Sequence, residues 1–195
     1  MHKIAEKNSR WDMGVGASSL SAKSNYSAYG AHYRANYTSG LQINSKLLYS
    51  LKDNTNFGLK YNLFSSGANY VLQDNQAVVE NLLVNYIAPQ LGYEYILSPK
   101  VSFLQTVGLG YAHYQSKGLK ADNEYNAVNA NLLGGNADLA LYYNLSSKTS
   151  IGFLTSVIVS IYSKEAPILT GNNDSKWNKL NLSRFDFSLN YRVTF

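Results

Sequence analysis

The 195-residue sequence predicts an all-β fold, a transmembrane antiparallel up-and-down β-barrel of eight strands in a single domain spanning residues 1–195. Three observations predict it. Apolar and polar residues alternate in run after run, the period of a strand with two unlike faces. The connections between runs are alternately short and long. The aromatic residues of the apolar face gather beside the short connections, as in the interfacial girdle of a membrane barrel.

The first strand is Arg10–Leu20, where Trp11, Met13, Val15 and Ala17 alternate with Asp12, Gly14 and Gly16. Each glycine would cost a helix roughly 1 kcal/mol, which argues against an amphipathic helix here. Ser21–Ser39 then forms a first external loop carrying extended structure. A competing choice takes Ser27–Thr38 as the first strand, with Tyr29, Ala31, Tyr33, Ala35 and Tyr37 on one face, and leaves an N-terminal arm. Counting both gives nine strands, whereas bacterial single-chain barrels are even.

Six further strands precede the last one. Leu41, Ile43, Leu47, Tyr49 and Leu51 share a face opposite Gln42, Asn44 and Lys46. Phe57, Leu59, Tyr61 and Leu63 oppose Gly58, Lys60 and Asn62. Ile87, Leu91, Tyr93, Tyr95 and Leu97 oppose Gln90, Gly92 and Glu94. Val101, Phe103, Val107, Leu109 and Tyr111 oppose Thr106, Gly108 and Gly110. Ala137, Leu139, Leu141, Tyr143 and Leu145 oppose Asn136, Asp138 and Asn144. Ile151, Phe153, Val157, Val159 and Ile161 oppose Gly152, Ser156 and Ser160. Pro89 interrupts the fourth strand; it removes a ladder donor and a closed barrel offers no edge, so a bulge is expected beside it.

The last strand alternates without error. Phe185, Phe187, Leu189, Tyr191, Val193 and Phe195 are apolar; Arg184, Asp186, Ser188, Asn190, Arg192 and Thr194 are polar. Its length suits a tilted membrane strand of about 9–11 residues. Lys52–Asn54, Ser98–Lys100 and Ser146–Lys148 are tight turns, whereas Ser65–Asn81, Gln115–Asn126 and Ser163–Leu180 are long polar loops. In bacterial barrels the short turns are periplasmic, which puts the C-terminus on that side.

Alternation fits a soluble barrel as well, with the apolar face turned inward. The girdle (Tyr49, Phe57, Tyr93, Tyr95, Phe103, Tyr143, Phe153, Phe195) argues for lipid. So does volume: an eight-stranded bore is just wide enough for side chains and would be overfilled by these rings. The opposite face carries Lys46, Lys60, Glu94, Asp138, Arg184, Asp186 and Arg192, which can pair inside a lumen. Lys60 or Lys46 with Glu94, and Arg184 or Arg192 with Asp138, are the expected bridges, giving a plugged bore.

The absence of cysteine excludes disulfides, thiolate metal sites and a cysteine nucleophile. The net charge of +5 is scattered, which argues against nucleic acid but suits basic loops facing an acidic lipopolysaccharide. No run approaches 18 apolar residues, so no transmembrane helix is expected. Met1–Ser9 is polar, reads as a disordered or added tail, and shows no signal peptide, which implies a mature form with an added Met.

The motif Phe187-Ser188-Leu189-Asn190-Tyr191-Arg192-Val193-Thr194-Phe195 resembles the C-terminal insertion signal of bacterial outer-membrane barrels, with Phe187, Leu189, Tyr191, Val193 and Phe195 as its signal residues. From Arg10 to Phe195 the chain resembles the small outer-membrane β-barrel superfamily, which includes the OmpA transmembrane domain and the OmpX-, OmpW- and opacity-type proteins. The segment Tyr86-Ile87-Ala88-Pro89-Gln90-Leu91-Gly92-Tyr93 is similar to a strand of barrels from Bacteroidetes-type bacteria. The resemblance implies a monomer in the cell outer membrane of a Gram-negative-type bacterium, in contact with membrane lipid and lipopolysaccharide and inserted by the outer-membrane assembly machinery. An OmpA-like periplasmic peptidoglycan-binding domain is not expected.

Some barrels of this superfamily modify lipid A, which directs attention to His2, His32 and His113. The residues two beyond His32 and His113 are Arg34 and Gln115, not the serine such a deacylase uses. A palmitoyltransferase-like site would need Asp122 or Asp174 beside one of them, and nothing in the sequence brings them together. Asp122-Asn123-Glu124 and Asn172-Asn173-Asp174 read as loop tips and not as calcium sites. No catalytic residue, cofactor or metal is therefore expected. The leading function is a non-enzymatic surface scaffold presenting external loops for adhesion, recognition or envelope integrity. An OmpW-like passage for small apolar molecules, opened laterally near Pro89, and a lipid A-modifying enzyme are the alternatives.

Overall fold

Antiparallel pairing runs unbroken around the molecule. In the computed structural model, which describes residues 9–20, 39–51, 54–71, 77–120, 123–163 and 182–195, eight strands follow one another. They are β1 (Ser9–Leu20), β2 (Ser39–Ser50), β3 (Thr55–Val71), β4 (Ala77–Ser98), β5 (Val101–Lys120), β6 (Asn123–Asn144), β7 (Thr149–Ser163) and β8 (Arg184–Thr194). Each pairs with its sequence neighbour, and β1 pairs with β8 to close the barrel. β1 pairs with both β2 and β8, from Trp11↔Leu47 to Trp11↔Val193, which decides the first strand in favour of residues 9–20. The competing segment Ser27–Thr38 and the tail Met1–Asn8 lie outside the described residues.

The alternation reads directly as inside and outside. Leu41, Ile43, Leu47, Leu109, Leu133 and Leu189 are exposed, while Gln42, Asn44, Lys46, Leu132, Ser188 and Asn190 beside them are buried. The apolar face therefore points outward, the arrangement that lipid stabilises and water does not. Of the girdle aromatics, Tyr49, Phe57, Tyr93, Tyr95, Tyr143, Phe153 and Phe195 are exposed beside the short turns, and Phe103 is half-buried. Tyr93 and Tyr95 meet edge to face, with centroids 4.7 Å apart. Tight turns close this end: Leu51 N donates to Thr55 O at 2.7 Å, and Leu145 N to Thr149 O at 2.9 Å.

Two of the long connections differ from the sequence reading. Ser65–Asn81 is mostly the paired ends of β3 and β4, in register to Val71↔Ala77. Gln115–Asn126 is mostly the paired ends of β5 and β6, which pair as far as Lys120↔Asn123 with a register shift between Ser116 and Lys117. Polar composition suggested loops, but above the lipid belt a ladder needs only backbone pairing, since both faces can meet water. β3 to β6 thus continue upward as a four-stranded sheet past the ends of their neighbours β2 and β7. Most of the Ser163–Leu180 connection and all but the end of Ser21–Ser39 fall outside the described residues.

The bulge expected at Pro89 is absent. The β3–β4 register is continuous through Leu59↔Pro89. Toward β5 the pairs at Ala88 and Pro89 are omitted, yet Ile87↔Tyr111 and Gln90↔Gly108 keep one register on both sides. Omitting a ladder bond is cheaper than inserting a residue, because a one-residue slip turns every later side chain onto the wrong face. Glycines opposite the proline keep the wall shut: a Cβ on Gly110 would sit 2.2 Å from the Ile87 carbonyl oxygen, and one on Gly108 2.4 Å from that of Pro89. Gly110→Ala is expected to cost about 1–3 kcal/mol, measured as a lowered urea midpoint by tryptophan fluorescence in lipid vesicles. An unchanged midpoint would show that this close approach carries no weight.

Candidate functional site

The bore is the place where chemistry concentrates, because period-2 alternation sends every second side chain of eight strands into it. Its contents form layers. At the short-turn end, the Arg192 guanidinium donates from Nε and Nη2 to Asp12 at 2.7 and 3.0 Å and from Nη1 to Glu94 at 2.7 Å. It lies 3.5 Å above the Tyr142 ring, whose hydroxyl also donates to Asp12, at 2.7 Å. Arg10 bridges from β1 to the other Glu94 oxygen and to Asn56. A cavity of about 370 Å³, lined by Arg10, Glu94, Ser102, Asn144, Ser150 and Arg192 among others, opens at this mouth.

In the middle, Lys46 and Lys60 reach across from β2 and β3 to the two oxygens of Asp138 on β6, at 2.8 and 2.7 Å. Thr106 bonds both Lys46 and Asp138, at 3.1 and 3.0 Å, and Ser156 accepts from Lys60 at 2.8 Å. An amide layer follows: Tyr86 and Gln90 donate to Asn136 at 3.0 and 2.9 Å. Toward the other end, Arg184 donates to Asp186 at 3.1 Å and to Asn62 at 2.7 Å, and lies 5.2 Å from the centroid of Phe64. Ser18 and Asn62 complete the coordination of Asp186, at 2.6 and 3.2 Å.

All seven charged side chains expected to face the lumen, Lys46, Lys60, Glu94, Asp138, Arg184, Asp186 and Arg192, are buried within it. The pairing is different. Glu94 takes Arg10 and Arg192, not a lysine; Asp138 takes both lysines, not an arginine; Arg184 takes its own strand neighbour Asp186. Strand tilt and stagger displace depth from one strand to the next, so sequence distance from the turns does not fix which charges meet. Arg10 and Asp12 were missed as members. Their even positions in β1, in step with Gly14, were the signal that places them inside. Apolar residues also face inward, which the alternation obscured: Leu48, Leu104, Ala140, Tyr142 and Leu154 form one buried cluster.

Contacts between strands that are not neighbours span the bore: β2 to β6, β3 to β7, β1 to β4 and β4 to β8. Such contacts fill the lumen with paired charge, and pairing is what makes buried charge tolerable. His113 lies on the outer face of β5, not in this site; its Nδ1 is 2.8 Å from Asn131 Oδ1. His2, His32, Asp122 and the 172–174 segment lie outside the described residues. Among the described residues no three His, Asp or Glu side chains are grouped to hold a metal. The apolar residues of the terminal motif face outward, with Phe187, Leu189, Tyr191 and Phe195 exposed.

No family model matches the sequence, and no curated protein does. The structure, in contrast, is similar to solved outer-membrane proteins over almost its whole length. Against OprG of Pseudomonas aeruginosa the TM-score is 0.67 at 12% identity, covering 97% of this chain and 96% of that one. Against Neisserial surface protein A it is 0.60 at 9% identity, with both chains fully covered. Against Ail, the attachment invasion locus protein of Yersinia pestis, it is 0.52 at 11% identity, covering 97% and 99%. Closed eight-strand topology, outward apolar belt and charged bore coincide with that similarity: the chain has the fold of the small outer-membrane β-barrels.

Proposed function

We propose that the protein is an integral outer-membrane barrel, with its C-terminus periplasmic, that works as a non-enzymatic surface scaffold for adhesion or recognition. The observation that carries this reading is the contrast between the two ends. The bore is crossed by ion pairs such as Lys46–Asp138 and Lys60–Asp138, which leaves transport little room. The β3–β6 sheet meanwhile continues well past the belt, with β4 and β6 reaching 22 residues each against 12 for β1 and β2. A rigid wall that ends in raised hairpins suits presentation of a binding surface. The similarity to an attachment invasion locus protein supports the same class of function. The outward face of the terminal strand, Phe187 to Phe195, serves insertion by the assembly machinery in this reading.

The lateral-passage alternative draws on Pro89, but the close approach of Gly108 and Gly110 to β4 speaks against an opening there. The enzymatic alternative is not favoured by His113, whose described partner is the carboxamide of Asn131.

The test is an epitope tag inserted between residues 71 and 77, or between 120 and 123, in cells producing the protein. The tag is expected to bind antibody on intact cells, whereas a C-terminal tag requires permeabilisation. Cells bearing the protein should also adhere to a surface more than cells lacking it, and shortening both hairpins should abolish the difference. Internal tags hidden on intact cells would overturn the orientation. Large, stable conductance in planar bilayers would overturn the plugged scaffold.

A further inference from the structure

The short-turn mouth of the bore holds more donors than the barrel itself uses. The Arg10 side chain is only 9% exposed. It donates from Nη1 to Glu94 and from Nη2 to Ser50 and Asn56. Its Nε, closed off from solvent, meets no acceptor among the described residues. A guanidinium donates from all three nitrogens, and a buried N–H without an acceptor is rare because its lost hydration goes uncompensated. The cavity of about 370 Å³ that Arg10 lines has the size of a ligand pocket, about 300–1,000 Å³.

Three kinds of surface line this cavity. Arg10 and Arg192 supply cations, Ser102 and Asn144 a hydroxyl and a carboxamide, and Leu51 and Ile96 an apolar wall. Within the bore, Arg10 and Arg192 are balanced by Glu94 and Asp12. The three short turns add Lys52, Lys100 and Lys148 against Asp53, and the residues before β1 add Lys3 and Lys7 against Glu6. The mouth is therefore cationic even with the carboxylate of Phe195 counted. A guanidinium fork matches carboxylate and phosphate alike. The wall separates them: Leu51 and Ile96, 44% and 60% exposed, suit a carbon skeleton, which inorganic phosphate lacks.

We propose that the short-turn mouth of the bore binds a small organic carboxylate. The carboxylate oxygens accept from Arg10 and Arg192, the carbon skeleton lies against Leu51 and Ile96, and Ser102 and Asn144 bond polar substituents. The site is at the opposite end from the raised hairpins. It needs neither their adhesive role nor a passage through the bore.

The experiment uses the whole barrel in phosphatidylcholine nanodiscs, with isotope-labelled arginine, so that NMR follows the Nε–H signals of Arg10, Arg34, Arg184 and Arg192. Glutarate is the probe. It is expected to shift the Arg10 and Arg192 signals saturably and to leave Arg184, toward the other end of the bore, unmoved. Glutaramide, its uncharged analogue, should shift none of them. Arg10→Lys keeps the charge but loses the fork, and should weaken glutarate binding about tenfold, read from the Arg192 signal. Ile96→Asp sets a carboxylate on the exposed wall while keeping both arginines, and should weaken binding by repulsion. Heat-resistant migration on gels and circular dichroism establish that each variant is folded. No saturable shift with glutarate, an equal shift with glutaramide or with inorganic phosphate, or undiminished affinity in either folded variant would each overturn the proposal.

Discussion

Asp138→Ala is expected to destabilise the barrel by about 3–5 kcal/mol, the loss seen when one partner of a buried ion pair is removed. Asp138 is 1% exposed and is the carboxylate that both Lys46 and Lys60 reach, at 2.8 and 2.7 Å. Removing it leaves two ammonium groups, each almost wholly buried, facing each other across Lys46↔Lys60 of the β2–β3 ladder. Thr106 and Ser156 would still offer oxygens, but a hydroxyl does not neutralise a charge. Urea titration of the protein folded into lipid vesicles measures the effect. The triple replacement Lys46→Met, Lys60→Met, Asp138→Leu should recover most of the loss, because exchanging a whole buried charge group for apolar side chains is often neutral. A single variant as stable as the native protein would mean that water reaches this layer.

Leu189→Arg is expected to cost about 2–4 kcal/mol in a bilayer, the penalty for a cation on the lipid face near the midplane. Leu189 is 71% exposed, halfway along β8. In a water-soluble barrel a surface substitution of this kind would fall within about 0.5 kcal/mol, so the measurement separates the two environments directly. Folding yield into vesicles and the urea midpoint both report it. A change below about 0.5 kcal/mol would refute the membrane assignment.

The periodicity of β1 to β8 was legible because alternation survives wherever one face meets lipid and the other a packed bore. Arg184 to Arg192 shows it best, where burial follows the written pattern residue by residue. The upper ends of β3 to β6 were not legible. There the selective pressure of lipid stops, and polar residues such as Asn81 and Lys117 occupy strands as readily as loops. Pro89 misled for a related reason: its missing donor is a local fact, whereas the absence of a bulge follows from the register of the whole strand.

By itself the sequence determined the fold class, the number of strands, the outward direction of the apolar face and the membership of seven charges in the lumen. Each follows from side-chain parity, which is local to one strand. Tertiary structure alone decided that Asp138 holds two lysines, that Arg10 and Asp12 join Arg192 and Glu94, and that His113 stands in register with Asn85 and Asn131. Those pairings depend on tilt and stagger between strands, which set depth around the closed barrel and leave no mark in the period-2 pattern.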